Sequence, residues 1–211
     1  MNETEARIAA HICGDGWLTT HLEKNALHIV HGKRYYQNRI RYEMGYCNTR
    51  KELLKEFEID MLNKFGLLPR RVEFEVRFRS KQVFERIVSL GGGNSRSWSI
   101  GKEIFASNKK IKKEWLRAFF DDECTFDQYS KRIKIKSINL NGLKQTKRLL
   151  THLGISSNIT GPNIDKTFYL IIPRTNVPKF YNKIGLKHKI KNERIKQYLK
   201  NDENFRKKSA F

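Results

Sequence analysis

Ile8-Ala9-Ala10-His11-Ile12-Cys13-Gly14-Asp15-Gly16 and Leu116-Arg117-Ala118-Phe119-Phe120-Asp121-Asp122-Glu123-Cys124 are two copies of one pattern, set at a constant offset. Bulky apolar residues hold the first and fifth positions (Ile8 and Ile12, Leu116 and Phe120), alanine holds the third (Ala10, Ala118), and an acid holds the eighth (Asp15, Glu123). Ala6, Ala10 and Gly14 recur every four residues, which on a helix makes one stripe of small side chains. The equivalent stripe in the second copy is Glu114, Ala118 and Asp122, with Glu114 expected at the solvated end. Small side chains let two helices approach closely. Packed on each other about a pseudo-twofold axis, the two helices would bring their C-terminal ends together and set Asp15 beside Glu123.

Such a spot suits a divalent cation. The last carbonyls of a helix lack partners within the helix, and that end carries partial negative charge. Two carboxylates plus the carbonyls at Gly14 and Asp122 make a hard oxygen site of the kind Mg²⁺ takes when phosphate oxygens and waters complete its shell. Two or more ions shared between the acids could activate a water and stabilise a leaving oxygen. A single Gly-Asp-Gly after a helix is ordinarily a turn; the duplication is what makes Asp15 and Glu123 candidate catalytic residues.

The 211-residue chain holds 43 Lys and Arg against 22 acids, a formal charge of +21. That balance fits a nucleic-acid partner better than an anionic membrane surface. A hydrophobic content of 38%, with 13 Phe and 8 Tyr, argues for a packed core. No apolar run approaches the roughly 18 residues that a spanning helix needs, and the acidic start Met1-Asn2-Glu3-Thr4-Glu5 does not read as a leader. Cys13, Cys47 and Cys124 are odd in number and lack zinc spacing, which fits a reducing compartment. His28 and His31 would sit on opposite faces of a strand, facing solvent.

The repeat continues past the acids. Arg39-Ile40-Arg41-Tyr42 parallels Arg132-Ile133-Lys134-Ile135, and each leads to a polar turn with Asn48 or Asn139. An amphipathic helix follows in each half, over about 49–65 and 143–153, stopping at Gly66 and Gly154 as left-handed caps do. Strands over 74–78 and 168–172 then lead into helices near 81–90 and 176–184. Val72, Phe74, Val76 and Phe78 alternate with charged residues, and so do Ile133 and Ile135: one face on a core, the other basic. Each half therefore reads helix, strand, strand, helix, strand, strand, helix, dividing the chain into 1–95 and 96–211. Gly91-Gly92-Gly93-Asn94-Ser95 lacks the ending of a phosphate loop and reads as a linker or turn. Lys187 to Lys208 carries nine Lys or Arg and reads either as a DNA-contacting helix or as a solvated tail.

The duplicated motif resembles the LAGLIDADG homing endonucleases in their monomeric, two-motif form. The nine letters fall on Ile8 to Gly16 and on Leu116 to Cys124, and the family's metal-binding acid falls on Asp15 and Glu123. The resemblance implies an α+β fold of two pseudo-symmetric αββαββα halves, each with a four-stranded antiparallel sheet, together forming a saddle over DNA. It implies a monomer that hydrolyses both strands of a long, specific double-stranded DNA target with Mg²⁺, leaving short 3′ overhangs. The chain start and the ending Ser209-Ala210-Phe211, without an intein's terminal His-Asn, point to a free-standing, intron-type enzyme, while heavy lysine usage and few prolines fit an AT-rich prokaryotic genome and so an expected place in the cytoplasm of a prokaryotic or archaeal host, associated with its nucleoid. Asn48, Arg50, Lys81, Lys102 and Asn139 are candidates for support around the scissile phosphates. The asparagines read equally well as helix caps and the cations as solvated charge. Outward strand residues Arg39, Arg41, Arg77, Arg79, Arg132, Lys134 and Lys136 are the candidate DNA contacts.

Two positions depart from the family pattern. Cys124 stands where the second motif closes on glycine, which implies backbone strain if that position needs positive φ. His11 replaces an apolar letter and is expected to be a locally hydrogen-bonded interface histidine. The alternative function on the same scaffold is a non-catalytic DNA binder or an RNA maturase acting on its own intron RNA; retention of both acids favours the enzyme.

Overall fold

The computed structural model describes residues 1–208, with side chains described as far as Asp202. Ser209-Ala210-Phe211 lies outside the described residues. The first half runs α1 (Glu3–Cys13), β1 (Gly16–Val30), β2 (Lys33–Cys47), α2 (Lys51–Phe65), β3 (Arg70–Val72), β4 (Glu75–Arg79) and α3 (Lys81–Ser89). A short helix α4 (Lys102–Ala106) leads to the second series: α5 (Lys109–Glu123), β5 (Cys124–Asp127), β6 (Arg132–Ser137), α6 (Leu140–His152), β7 (Asn158–Thr160), β8 (Phe168–Ile172) and α7 (Val177–Lys183). Helix α8 (Lys189–Lys208) follows. The two antiparallel sheets have the same order, β1-β2-β4-β3 and β5-β6-β8-β7. The fold is α+β and twice αββαββα. No helix of the described residues is long and apolar enough to cross a membrane.

Local sequence explains the element ends. Asn2 accepts from the Glu5 amide while Glu5 reaches back to the Asn2 amide, a capping box that starts α1. Gly66 (φ 65°) closes α2 in the left-handed region, and Gly154 (φ 70°) follows α6 in the same way. The β1–β2 turn is His31-Gly32, both at positive φ (48° and 77°), the twist that a two-residue hairpin demands.

Helix α1 divides its apolar residues between two cores. Ile8 and Ile12 pack with Met44, Tyr46, Phe57, Val76 and Phe78 beneath the first sheet. Ala6, Ala9, Ala10 and Cys13 pack instead with Trp115, Leu116, Ala118 and Phe119 of α5. The stripe of small residues is thus the face turned to the other half, and α1 against α5 is the most extensive helix pair in the molecule. Glu114 departs from its expected place at a solvated end. It is buried, because Arg7 of α1 (3.3 Å) and Arg117 (2.8 Å) cover it with paired charge.

Two further expectations need revision, and the turn expected at the glycine run is held more tightly than its composition shows. The alternation from Val72 to Phe78 spans two strands: a tight turn with Glu73 at φ 32° separates β3 from β4 and reverses the faces, so that Val72 lies opposite Glu75 and is exposed with Phe74, while Val76 and Phe78 are buried. The glycine run is pinned rather than loose. A side chain on Gly91 would meet the Ser99 carbonyl, and Asn139 donates to the Trp98 carbonyl (2.6 Å). The basic C-terminal stretch is neither a free tail nor all exposed, since Ile195 and Tyr198 of α8 are buried.

Trp98 lies flat on Gly142, where a methyl group would come within 2.4 Å of a ring carbon. Gly142→Ala is therefore expected to cost about 1–3 kcal/mol by overpacking. Urea unfolding should show a lower midpoint with an unchanged slope.

Candidate active site at the helix crossing

Both acids sit where the two crossing helices end. Gly14 caps α1 and Cys124 caps α5. At the crossing Gly14 faces its own repeat partner, Asp122: a Cβ on Gly14 would fall 2.7 Å from an Asp122 carboxylate oxygen. Glycine is what permits this approach, and it sets Asp15 and Glu123 on either side of the contact. Burial, followed by the charges of Asp15 and Asp122, pushes the Glu123 carboxyl up to about 7. Burial and the Asp122 charge push Asp15 up to about 6, although its side chain remains open to solvent on one side. The expected strain at Cys124 is absent, because its φ of −82° is ordinary extended backbone.

Asp122 was expected to offer an oxygen to a cation, and the structure gives it other work. Its carboxylate is fully buried, 2.9 Å from His11 Nδ1, and accepts from the Tyr46 hydroxyl at 2.6 Å. Burial alone would lower the His11 pKa, but the charge and hydrogen bond of Asp122, with Asp121 and Glu56 beyond, raise it. His11 is thus the interface histidine that the motif implied, bonded across the helix contact. The Asp122 carbonyl accepts from Lys191 Nζ (2.8 Å), as does the Asp121 carbonyl (2.6 Å). An ammonium therefore already satisfies the α5 end where a cation was expected.

Asn48 is brought to the acids. Its Nδ2 donates to Asp15 (3.0 Å) and to the Tyr46 hydroxyl (3.0 Å), while its Oδ1 accepts from the Arg50 amide (2.9 Å). A continuous polar chain thus runs Asp15–Asn48–Tyr46–Asp122–His11. Asn139 is not its counterpart. Sheet register pairs Tyr46 with Val76 and Ile135 with Leu170, so the residue two beyond Ile135, Ser137, takes the place of Asn48. Asn139 is buried and caps α6 through the Gly142 amide (2.9 Å). Arg50 lies near His188, whose pKa is lowered by burial and then by Lys191 and Arg50. Lys81 sits over the Tyr42 ring (5.7 Å) and pairs with Glu85 (3.8 Å), and Lys102 begins α4.

Six of the seven candidate DNA contacts are ion-paired on their own sheet surface. Arg39 and Arg41 both bind Glu23 (2.6 Å each). Arg77 binds Glu75 (2.5 Å), Arg79 binds Glu43, Lys134 binds Asp127 (2.5 Å) and Lys136 binds Asp165 (2.5 Å). Arg132 stands opposite Asp127 in the β5–β6 register. Buried Met44, Tyr46, Ile133 and Ile135 alternate with these positions, so the basic residues lie on the face away from the helices.

Among the described residues no three His, Cys, Asp or Glu side chains converge into a metal cage. The donor set is instead two carboxylates beside helix ends, Asp15 hydrogen-bonded by Asn48 and both in the field of Lys191, which suits a hard cation that relies on phosphate and water for its remaining ligands. Lys191 and Tyr46 were missed in the sequence. Lys191 is one lysine among many in a basic run, and Tyr46 is one inward position of an alternating strand.

The family described as LAGLIDADG-like domain matches residues 110–185. Three solved structures share the fold. The homing endonuclease I-DmoI in complex with DNA and Mn gives a TM-score of 0.60 at 21% identity over 86% of this chain and 96% of that chain. The LAGLIDADG homing endonuclease I-GzeII in complex with its DNA target gives 0.56 at 14% identity over 98% and 92%. The N-terminal LAGLIDADG domain of DUF199/WhiA gives 0.51 at 12% identity over 90% and 87%. No curated protein matches the sequence.

Two outcomes are expected from this geometry. Asp15, Glu123 and Asp121 (also pushed up to about 7, chiefly by burial) hold protons more tightly folded than unfolded. Their contribution is full below their ordinary values near 4 and is lost as pH rises through about 6 to 7. Melting of the metal-free protein should therefore fall between pH 5 and pH 8, and Asp15→Asn should lessen that fall. Second, Asp122→Ala removes the buried partner of both His11 and the Tyr46 hydroxyl and should cost about 3–5 kcal/mol, measured by equilibrium unfolding.

Proposed function

We propose that this two-motif LAGLIDADG-fold chain is a site-specific double-strand DNA endonuclease of the intron-homing type. We further propose that it acts as a monomer with its halves dividing at Ser95/Arg96 and uses Mg²⁺. The observation that carries the reading is the electrostatic coupling of Asp15 and Glu123 across the helix crossing, in a chain of charge +21. Two carboxylates that repel each other are unfavourable against a polyanion unless a further cation lies between them.

Asp15 and Glu123 would hold the metal ions, which when bound supply an activated water and neutralise the leaving oxygen. The residues around them have separable tasks. Asn48 fixes the Asp15 carboxylate with a hydrogen bond and is itself oriented by the Arg50 amide. Tyr46 and His11 hold Asp122 inside, which keeps the helix contact closed. Lys191 neutralises the α5 carbonyls, so its ammonium lies beside the place where a phosphate would come. The basic strand faces of both sheets would hold the duplex, with phosphate contacts positioning it and base contacts selecting it. Because acids on the same face already hold these cations, only a duplex offering suitable hydrogen bonds would repay breaking the pairs.

The test is cleavage of a supercoiled plasmid carrying the locus that flanks this reading frame. Asp15→Asn and Glu123→Gln should each lower the rate by on the order of 100-fold or more, beyond the 10–100-fold of an outer-shell partner. A chelator should stop the reaction, and Mg²⁺ should restore it. Cutting at the normal rate by either variant would remove these acids from the chemistry. Binding of the locus without cutting by the unaltered chain would favour a non-catalytic binder.

A further inference from the structure

One group of lysines lies apart from the strand faces and has no acids to match it. A cavity of about 560 Å³ opens where α5 begins and where α6 and α7 end, lined by Lys109, Lys110 and Lys113, by His152 and Leu153, and by Lys183. No acid lines it, and among the described residues none of the four lysines pairs with a carboxylate. The strand faces are the opposite case, since six of their cations are each held by an acid.

Its place in the fold separates the cavity from the acids at the helix crossing. Lys109 and Glu123 are the first and last residues of α5, so about 20 Å lies between them at roughly 1.5 Å per residue. Leu116, Leu149, Leu150 and Phe180 of the three helices pack with Ile133 and Ile135 of the second sheet. The cavity therefore opens in the helix layer, with the basic strand face on the other side of that sheet. A duplex lying on the strands does not cover it.

The lining suits clustered negative charge. Lys183 is pinned, because its Nζ donates to the Leu153 carbonyl (2.7 Å), and that bond also satisfies an acceptor at the end of α6. The α5 N-terminus adds partial positive charge beside Lys109 and Lys110. Four ammonium groups around one concavity repel one another, and a concave wall concentrates their field. The volume falls within the range of small-ligand pockets. Linked phosphates would place several oxygens among the four ammonium groups at once, each a charge-assisted contact. A nucleic-acid backbone instead presents its phosphates singly along its length, which fits a track better than a cavity.

We propose that this cavity binds a compact polyphosphate, the di- or triphosphate group of a free nucleotide or of an RNA 5′ end. The proposal goes beyond the endonuclease reading and does not depend on it. The test is calorimetric titration of the full, metal-free chain with sodium tripolyphosphate at about 0.15 M salt, where long-range attraction to the net charge is screened. Lys109→Gln/Lys113→Gln empties the cavity of two charges, and Lys134→Gln/Lys136→Gln removes two from the strand face as a control. One ligand should bind per chain. The cavity variant should bind roughly tenfold more weakly or worse, as for loss of one or more charge-assisted hydrogen bonds, and the strand variant should change by less than about twofold. Without ligand the cavity variant should melt no lower than the full chain, because it relieves like-charge repulsion. Tripolyphosphate should raise the melting temperature of the full chain more than that of the cavity variant. Equal weakening in both variants, several weak ligands per chain, or no binding overturns the proposal. ATP and an RNA oligonucleotide with a 5′-triphosphate then identify the bearer, as whichever competes with tripolyphosphate. Competition by neither, or equal competition by the same RNA with a 5′-hydroxyl, also overturns it.

Discussion

The close contact between Gly14 and Asp122 is the constraint on which the rest of the molecule depends. Two helix ends carrying negative partial charge, the exposed Asp15, the half-buried Glu123 and the buried Asp122 carboxylate are forced into one small volume. Left alone, that arrangement would push the halves apart. The chain answers in two ways. Inside, His11 and Tyr46 satisfy Asp122, so the buried acid ties the halves together instead of repelling them. Outside, Lys191 reaches in from α8 and takes two carbonyls of α5. Asp15 and Glu123 keep raised pKa values although the Lys191 charge opposes the shift in both.

The same contact explains why pseudo-symmetry stops at the acids. One member of the helix pair approaches with glycine, and the other fills the space with Asp122. The polar chain from Asp15 through Asn48 and Tyr46 therefore has no equal on the Glu123 side, where Ile135 and Ser137 stand at the matching register. The asymmetry extends outward. One hairpin reaches well beyond its sheet, and the other ends where its neighbour does. A duplicated scaffold has thus kept its central geometry while its two sheets diverged.

Much of this was legible in the residues. The spacing of Ile8, Ala10 and Ile12 against Leu116, Ala118 and Phe120 fixed the helix pair, and glycines at 66 and 154 marked helix ends that the structure keeps. What stayed hidden depended on long-range contact. Nothing local distinguishes Lys191 from its eight basic neighbours, or tells that Asp122 turns inward while Asp15 stays open. The length of β1 and β2 escaped notice because an unsupported ribbon buries neither face, so the alternation that reveals a half-buried strand is lost. Val72 to Phe78 misled in the opposite way, since the residues alternate without a break although a tight turn sets Val72 on the face away from Val76 and Phe78. Asn48 and Asn139 looked equivalent in sequence, and only pairing with β4 and β8 separates an acid's partner from a helix cap.

The most direct test of the central claim is anomalous diffraction from Mn²⁺ in crystals of the complex with target duplex. Manganese density between the Asp15 and Glu123 carboxylates, at roughly 2.0–2.2 Å from an oxygen of each as for small hard cations, is the predicted result. Density bound to neither carboxylate, or to one alone with the other turned away, would contradict it.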